Sequence, residues 1–354
     1  MKIKLGELAD IMTGNTPSMK VNEYYDSNDI PFIKPDSFKS HFELKANSYI
    51  SNRAERKAKI VGANCILVSC IGIIGKVGIT SQKVAFNQQI NSLNVKPHYD
   101  IEYIAYNLLF NKERLQRICN SAVVPLINKT QFSNFEISIN KDIIIQRDIK
   151  NKLNLLSSII NNNKKKLLLF DDIVKSRFVE MFGDIRERGR FKAKKWKDVL
   201  DIFNGKDYKA VQVDKGGYPV YGSGGIIARA NDYICPAGTI IIGRKGSINN
   251  PILVNEKFWN VDTAFGIVPK EIINISYLYY FCKQYNFNNL NKATTLPSLT
   301  KRDLLEIEIN IPDLEEQVKF SGFVNQINKL KADVQKSIDE TQLLMDSLMQ
   351  EYFG

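Results

Sequence analysis

The stretch Ser176-Arg177-Phe178-Val179-Glu180-Met181-Phe182-Gly183 recurs, in diverged form, as Ser347-Leu348-Met349-Gln350-Glu351-Tyr352-Phe353-Gly354 at the end of the chain. Serine, glutamate, phenylalanine and glycine are shared at an offset of 171 residues. Further motifs pair in the same order in the two halves: Asp10–Gly14 with Asp201–Gly205, Ile66–Gly72 with Ile240–Gly246, Pro125–Lys129 with Pro297–Lys301, and Phe135–Ile139 with Ile307–Ile311. This shared order predicts a tandem repeat, in which each half is a globular domain followed by a tail segment.

Each tail segment has the heptad spacing of a coiled-coil helix. The heptad positions of the first tail, with a polar break at Asn163, are Leu153, Ile160, Leu167, Val174 and Met181, interleaved with Ile149, Leu156, Asn163, Phe170 and Arg177. Those of the second tail are Val324, Lys331, Ile338, Met345 and Tyr352, interleaved with Phe320, Ile327, Val334, Thr341 and Leu348. The second tail follows Pro312, and Asp313 with Glu316 resembles a capping box. Two helices of roughly 40 residues, each about 60 Å long, are therefore predicted.

The charge of the chain is unevenly distributed. The 354 residues carry a formal net charge of +11, which favours a polyanionic partner such as nucleic acid. Residues 1–142 carry +5, residues 143–183 carry +4, residues 184–312 carry +6 and residues 313–354 carry −4. Because the two predicted helices have opposite charge, we expect them to pair with each other as an intramolecular, antiparallel coiled coil.

The predicted fold class is α+β, with two mixed α/β domains separated by a two-helix antiparallel coiled coil and related by an internal pseudo-twofold repeat. The expected boundaries are 1–142 for the first domain, 143–183 for the first helix, 184–312 for a basic linker and the second domain, and 313–354 for the second helix. Strands are predicted at Ile66–Ser69, Asn91–Val95, Thr239–Ile242 and Ala264–Val268, and shorter helices at Ile101–Leu115 and Ser276–Tyr285.

Motifs for catalysis are incomplete in this sequence. Gly222–Gly225 lacks the third glycine of a dinucleotide-binding loop, and Gly238–Lys245 lacks the Gly-Lys-Ser/Thr of a P-loop. Asn249–Ile252 lacks the second proline and the aromatic residue of an adenine methyltransferase motif. The chain has two histidines, and its five cysteines form no Cys-x-x-Cys pair, so neither a catalytic triad nor a zinc site is expected. We expect a non-catalytic, cytoplasmic protein with reduced thiols, no metal and no contact with a membrane.

Polar and basic residues in corresponding loops of the two halves are candidates for DNA contacts. Glycine-containing loops with lysine or arginine suit phosphate groups, and the amide run Asn87-Gln88-Gln89 suits adenine edges in the major groove. Capped turns and solvated lysines are the competing explanation for any single residue. The candidates are Asn15, Thr16, Ser18, Lys20, Lys34, Lys76, Asn87, Gln88 and Gln89 in the first half, and Lys206, Tyr221, Ser223, Arg244, Lys245, Ser247, Asp262 and Thr263 in the second.

Over essentially its full length the chain resembles the specificity subunit of type I restriction–modification enzymes. The motifs that carry this resemblance are Leu5–Ile11, Ile74–Gly78, Phe178–Gly183, Gly243–Ile248 and Val261–Phe265, in their doubled order with two long helices. The resemblance implies two target-recognition domains, each reading half of a split, asymmetric site in double-stranded DNA. It also implies that two methyltransferase subunits bind S-adenosylmethionine, that this chain binds no cofactor, and that two motor-nuclease subunits can join for restriction. Ser69-Cys70-Ile71-Gly72 departs from Gly243-Arg244-Lys245-Gly246, which leaves the phosphate contacts of the first domain open at this loop.

Two expectations concern the helices. As a rigid spacer they would set the distance between half-sites, at about one helical turn or roughly 34 Å. Aromatic residues recur at both helix ends, and such residues often anchor interfaces. We therefore predict that Phe178, Phe182, Met349 and Phe353 dock the methyltransferase subunits.

Two alternative functions are compatible with the sequence. The first is a coiled-coil assembly adaptor without DNA contact, which would show no salt-dependent DNA binding. The second is a self-contained methyltransferase or nuclease, which the incomplete motifs disfavour.

Overall fold

The computed structural model describes residues 1–119, 124–186, 190–290 and 298–354. Pro297 of the repeated proline motif and residues 187–189 of the predicted linker lie outside these ranges. The chain forms two compact units, of which the first comprises Met1–Lys164 and Lys336–Gly354 and the second comprises Lys165–Gln335. The first unit is discontinuous in sequence because it includes the end of the last helix.

The first unit contains the elements of the N-terminal repeat. Its strands are β1 (Lys2–Lys4), β2 (Ala9–Thr13), β3 (Ile30–Ile33), β4 (Tyr49–Ile50), β5 (Ile60–Val61), β6 (Ile66–Ser69), β7 (Val77–Ile79), β8 (Val84–Phe86), β9 (Ile90–Val95) and β10 (Glu136–Ser138). Its helices are α1 (Leu5–Leu8), α2 (Ile101–Phe110), α3 (Lys112–Arg117), α4 (Lys129–Asn134) and the part of α5 (Ile143–Phe182) up to Lys164. Short 3₁₀ helices lie at Asn22–Tyr24, Pro35–Ser37 and Asn52–Lys57.

Two four-stranded sheets build this unit, together with the pair β1–β10. One sheet has the order β2-β9-β6-β7 and is antiparallel throughout. The other has the order β4-β3-β8-β5, in which β3 and β8 run parallel. Ile66, Val68 and Leu93 of the first sheet pack into a core with Tyr103 and Tyr106 of α2. The sheet and the helix therefore bury a common apolar layer.

The second unit contains the elements of the C-terminal repeat. Its strands are β11 (Lys192–Lys195), β12 (Leu200–Asn204), β13 (Gln212–Val213), β14 (Tyr218–Gly222), β15 (Gly225–Ala230), β16 (Thr239–Gly243), β17 (Ile252–Val254), β18 (Trp259–Asn260), β19 (Ala264–Pro269) and β20 (Glu308–Ile311). Its helices are α6 (Trp196–Val199), α7 (Ile275–Gln284), α8 (Lys301–Leu305), the end of α5 and the beginning of α9 (Leu314–Phe353). Short 3₁₀ helices lie at Lys209–Val211 and Phe287–Leu290.

The two units share one topology, which confirms the predicted repeat. The order β12-β19-β16-β17 reproduces β2-β9-β6-β7, and the pair β11–β20 reproduces β1–β10. The parallel pair β14–β18 likewise corresponds to β3–β8. The units diverge directly after β3 and β14. Residues 34–48 connect β3 to β4 in the first unit, whereas a tight turn connects β14 to β15 in the second.

Both long helices are present, and their heptad pattern is confirmed. Every predicted heptad position, including Asn163, is buried or half-buried. In the first unit the Asn163 amide donates to the Ser337 hydroxyl at 3.2 Å. In the second unit Lys331 lies 2.5 Å from Asp171, which joins α9 to α5. Leu153 also shares a core with Met349 in the first unit, and the Phe182 ring contacts that of Phe320 in the second. Two contacts in each unit thus show that the helices run antiparallel there, as predicted.

The structure contradicts the predicted docking role of the aromatic helix ends. Phe178 and Phe182 are buried in the second unit, where both rings contact Tyr277 and Phe320. The Phe353 ring lies 5.2 Å from that of Tyr103 in the first unit, and Met349 is buried in the same core. All four predicted residues hold the globular part of each unit against the helices, so they cannot serve as exposed anchors.

One predicted helix is interrupted. The segment Ile101–Leu115 forms α2 and α3, which are separated at Asn111. The Asn111 amide donates to the carbonyl oxygen of Asn107 at 2.9 Å, and Asn111 itself has ψ near 10°. Such a bond from a side chain to the backbone competes with helix continuation.

Candidate nucleic-acid interface

In each unit the loops that carry the predicted DNA contacts meet at one edge of the antiparallel sheet. In the first unit β2 and β6 end at the edge where β7 and β9 begin. In the second unit β12 and β16 end at the edge where β17 and β19 begin. Because neighbouring strands are antiparallel, loops that are distant in sequence are brought together at this edge.

A glycine makes the closest loop contact in the first unit. Gly14 donates its N–H to the Ile90 carbonyl, and Asn15 donates its N–H to the Phe86 carbonyl, both at 3.0 Å. A β-carbon at Gly14 would lie 2.3 Å from the carbonyl oxygen of Asn87. Only glycine fits this approach, so the predicted loops 14–20 and 87–89 are in direct contact.

Exposed polar groups of the first unit cluster where these loops meet. The Thr16 hydroxyl donates to the Gln88 side-chain oxygen at 2.7 Å, and both residues are exposed. Ser18 and Lys20 are exposed in the same loop as Thr16. These four predicted residues are therefore placed to reach a ligand at the edge of the sheet.

Asn15 and Asn87 have structural bonds instead. The Asn15 amide donates to the Lys57 carbonyl and its oxygen accepts from the Lys59 N–H, at 2.7 and 2.6 Å. Asn87 is buried, and its amide donates to the side-chain oxygen of the half-buried Gln89 at 2.8 Å. Both asparagines position backbone, and the exposed lysines 57 and 59 join the interface. Sequence reasoning missed these two lysines, although the basic run 53–59 was a usable signal.

Two predicted lysines of the first unit are half-buried. Lys34 Nζ lies 5.4 Å from the ring centre of Phe32. Lys76 Nζ donates to the Pro35 carbonyl at 2.8 Å. Both amines thus border the segment that follows β3, and Lys76 uses one of its donors within the chain.

The second unit repeats the close approach of glycine. Lys206 donates its N–H to the Asn260 carbonyl at 2.9 Å. A β-carbon at Gly205 would lie 1.8 Å from the carbonyl oxygen of Val261. Gly205 therefore corresponds structurally to Gly14, and the Lys206 side chain is exposed at the contact.

A basic loop follows β16 in the second unit. Arg244 and Lys245 donate their N–H groups to the Thr263 carbonyl at 2.8 and 3.3 Å, and both side chains are exposed. The Arg244 guanidinium lies 6.0 Å from the ring centre of Phe265. Asp262 is exposed and Thr263 is half-buried in the adjoining loop. Two cations beside one acidic side chain leave a net positive surface.

The turn after β14 lies against this basic loop. A β-carbon at Gly243 would lie 3.0 Å from Ser223 Cβ and 2.7 Å from the Ser247 carbonyl oxygen, so these two predicted residues are neighbours. The half-buried Tyr221 packs edge-on against Phe258 at 5.3 Å. Burial raises the pKa of the Tyr221 hydroxyl, which remains a neutral hydrogen-bonding group at physiological pH.

The cysteines are not arranged as a reactive or metal-binding centre in the part of the chain that is described. Burial raises the pKa of the Cys65 thiol to about 11 and those of Cys70 and Cys235 to about 12. Thiols with such values remain protonated at neutral pH. Within the described ranges, no group of three His, Cys, Asp or Glu side chains could hold a metal ion. Among these same residues, no helix is long and apolar enough to cross a membrane.

The repeated architecture agrees with a family match that is itself repeated. The family model for the type I restriction modification DNA specificity domain matches residues 1–169 and again residues 189–341. The chain belongs to this family of specificity subunits. The resemblance that the sequence motifs indicated is thereby confirmed.

One relative matches over most of its length, and a second matches over a shorter stretch with higher identity. The EcoprrI specificity subunit of Escherichia coli is 22% identical over 350 residues, which are 93% of this chain and 87% of that relative. The HindI specificity subunit of Haemophilus influenzae is 32% identical over 139 residues, which are 38% of this chain and 30% of that relative.

Solved structures share the fold. The type I restriction–modification S subunit from M. genitalium has a TM-score of 0.62 at 16% identity, with 100% of this chain and 96% of that chain covered. A chain from a structure of complex assembly and conformational transition in the type I system has a TM-score of 0.65 at 13% identity, with 99% and 97% covered. These likenesses concern the fold, and the assignment of individual DNA contacts stays a prediction.

Proposed function

We propose that this specificity subunit gives a type I restriction–modification complex its DNA sequence preference. Each globular domain would read one half of a split, asymmetric site in double-stranded DNA. The two half-sites would differ because β3 and β14 are followed by different segments. The main support for this proposal is that both units have the same topology and place exposed polar and basic loops at the same edge of the sheet.

The chemistry of the loops supports contact with DNA. Exposed lysine and arginine side chains, such as Lys206, Arg244 and Lys245, suit phosphate oxygens, which position a protein on the duplex. Exposed amide and hydroxyl groups, such as Gln88 and Thr16, suit base edges. Both kinds of group lie at the candidate interface of the first unit, where the exposed lysines are Lys20, Lys57 and Lys59.

We further propose that the outer faces of the long helices dock two methyltransferase subunits, one per repeat. In the first unit Ile144 and Leu155 of α5, and Leu343 and Leu344 of α9, are exposed. Exposed apolar residues mark a binding surface where they form a contiguous patch. They take the place of the buried aromatic residues that the sequence had indicated.

The second unit has a comparable outer face. Leu169 and Ile173 of α5 are exposed and lie one turn apart, as do Leu314 and Val318 of α9. Residues four apart on a helix are neighbours on its surface. Each unit therefore exposes apolar residues on its own part of the two helices, which supports the proposal of two docked subunits.

The remaining components of the proposed complex follow from the same role. The methyltransferase subunits would bind S-adenosylmethionine, and this chain would bind no cofactor. Two motor-nuclease subunits could join for restriction. The complex would act in the cytoplasm.

The direct test is the paired substitution Arg244→Ala with Lys245→Ala. We expect DNA binding by the complete methyltransferase complex to weaken at all sequences, and the dependence on salt concentration to flatten by about one charge per cation removed. Fluorescence anisotropy over a series of KCl concentrations measures both effects. The matched control is Lys192→Ala with Lys270→Ala, which removes the same charge from exposed positions of the same unit.

The results separate the proposal from its alternative. Equal salt dependence for the two double variants would show that Arg244 and Lys245 do not contact phosphate. Absence of salt-dependent DNA binding by the unaltered complex would favour the assembly adaptor instead. Mapping of methylated adenines in DNA exposed to the complex then defines the two half-sites.

A further inference from the structure

The hairpin β14–β15 of the second unit projects beyond the strands that flank it. Strand β13 pairs with β15 only at Arg229 and Ala230, and β18 pairs with β14 only at Val220 and Tyr221. The remaining part of the hairpin closes through Ser223 and Gly224, and no strand among the described residues flanks it. It is therefore a narrow two-stranded ribbon at its tip.

Two large apolar side chains lie on this ribbon. Ile226 is 58% exposed and Ile227 is 55% exposed, although they are consecutive in one strand. Successive side chains of a strand point to opposite faces, so an ordinary sheet would bury one of them. A register shift between Val220 and Tyr221 accompanies this arrangement. The tip of the ribbon thus exposes two adjacent apolar side chains.

The surroundings of the ribbon are positively charged. Its turn residue Ser223 lies against Gly243, directly before the exposed Arg244 and Lys245. The turn is slender because Gly224 and Gly225 have no side chains, and open space surrounds the place where a β-carbon would lie on each. Gly225 also has φ near +123°, a conformation that favours glycine. A slender apolar tip beside two cationic side chains is suited to bind a polyanion whose apolar groups lie at the bottom of a groove.

The DNA major groove has that chemistry. It admits a two-stranded β-ribbon, and the 5-methyl group of thymine is the apolar feature on its base edges. We propose that Ile226 and Ile227 contact thymine methyl groups in the half-site read by the second domain. This inference rests on the proposed function and adds to it a direct readout of thymine by apolar contact.

The experiment replaces each thymine of the mapped half-site, one at a time, by deoxyuridine, which lacks only the methyl group. Binding is measured with the complete methyltransferase complex. We expect at least one replacement to weaken binding by about fourfold, because the burial of one methyl group against the protein is lost. In the variant Ile226→Ser with Ile227→Ser, thymine and uracil should bind equally at that position.

Two variants act as controls. Ile226→Val with Ile227→Val keeps an apolar tip and should retain the preference for thymine. Ile272→Ser alters another exposed isoleucine of the same unit, beyond the far end of β19, and should also retain it. Retained thymine preference in both controls, and its loss in the double serine variant, would support the proposal.

Other outcomes overturn it. Methyl readout by this pair would be excluded if the half-site of the second domain contained no thymine. It would also be excluded if uracil had no effect on the unaltered complex, or if the effect of uracil were unchanged in the double serine variant. Failed assembly of the serine variant with methyltransferase would assign the isoleucines to a protein interface. Failure of the unaltered complex to select any DNA site would refute the proposed function itself, which is a different result.

Discussion

A buried glutamine in the first turn of each long helix ties that helix to its globular domain. The Gln146 side chain accepts from the Asp100 N–H at 2.8 Å and donates to the Asn140 carbonyl at 2.7 Å. Gln317 accepts from the Asn274 N–H at 2.7 Å and donates to the Pro312 carbonyl at 2.8 Å. Asp100 and Asn274 cap the helices α2 and α7, so the two repeats use the same joint.

We predict that Gln146→Ala lowers the free energy of unfolding by about 2–4 kcal/mol. The substitution leaves two partly buried backbone groups without partners, and each such unmet group costs about 1–2 kcal/mol. Urea denaturation followed by circular dichroism measures the change. Asn151→Ala, at an exposed position of the same helix, is the control and should be nearly neutral. Equal loss in the two variants would contradict the role of the joint.

For single residues, the sequence predicted which loops lie at the candidate interface better than it predicted which side chains are free to contact DNA. Gly14 and Gly205 belong to loops chosen from the repeat, and both prove to be sites of close backbone approach. Asn87, however, is bonded within the chain. The sequence could not indicate this, because an amide that caps a turn and an amide that reads a base are the same residue type. Gln146 and Gln317 are separated by the 171-residue offset of the repeat, so the sequence could identify them as equivalent positions. It could not indicate their burial, because a polar residue near the start of a helix is usually exposed.

Among the elements, the two long helices followed most directly from the sequence. Their heptad spacing predicted which face is buried, because burial of one stripe is what selects that spacing. The same spacing could not distinguish aromatic core residues from docking anchors, which explains the misassignment of Phe178 and Phe182. The strand pairings were also beyond prediction, since β3 pairs with β8 across about fifty intervening residues, which no local pattern records.

The outer face of α5 provides a prediction about assembly. We expect Ile144→Ser with Leu155→Ser to weaken association with the methyltransferase and to leave the unfolding free energy within about 0.5 kcal/mol, because both side chains are exposed. Phe178→Ala should do the opposite, with a loss of about 3–5 kcal/mol in stability from a core cavity. Size-exclusion chromatography and urea denaturation measure the two quantities.

Asn151→Ser with Asn162→Ser, exposed polar positions of the same helix, is the control for assembly. If the apolar double variant associates as tightly as this control, the outer face of α5 in the first unit is not a docking surface.

At the scale of the whole molecule, duplication reconciles one scaffold with two specificities. Strand order, the joint glutamines and the close glycines are common to both repeats, whereas the segments after β3 and β14 differ. The positive charge predicted for the globular parts is carried in part by the exposed loops at the sheet edge. Changes to those loops can therefore alter base readout while the buried framework remains intact.

The continuous helices lead to a prediction about spacing. The chain passes from one unit to the other within each long helix, after Lys164 of α5 and after Gln335 of α9, and the heptads 164–170 and 331–337 contain these two points. Duplicating both heptads keeps the apolar spacing and lengthens each helix by about 10 Å, or roughly three base pairs. We expect mapped methylation to show unchanged half-sites with a longer spacer. A single duplication, in one helix only, mismatches the pair and should prevent folding. Altered half-sites, or an unchanged spacer, would mean that helix length does not set the distance between the sequences recognised.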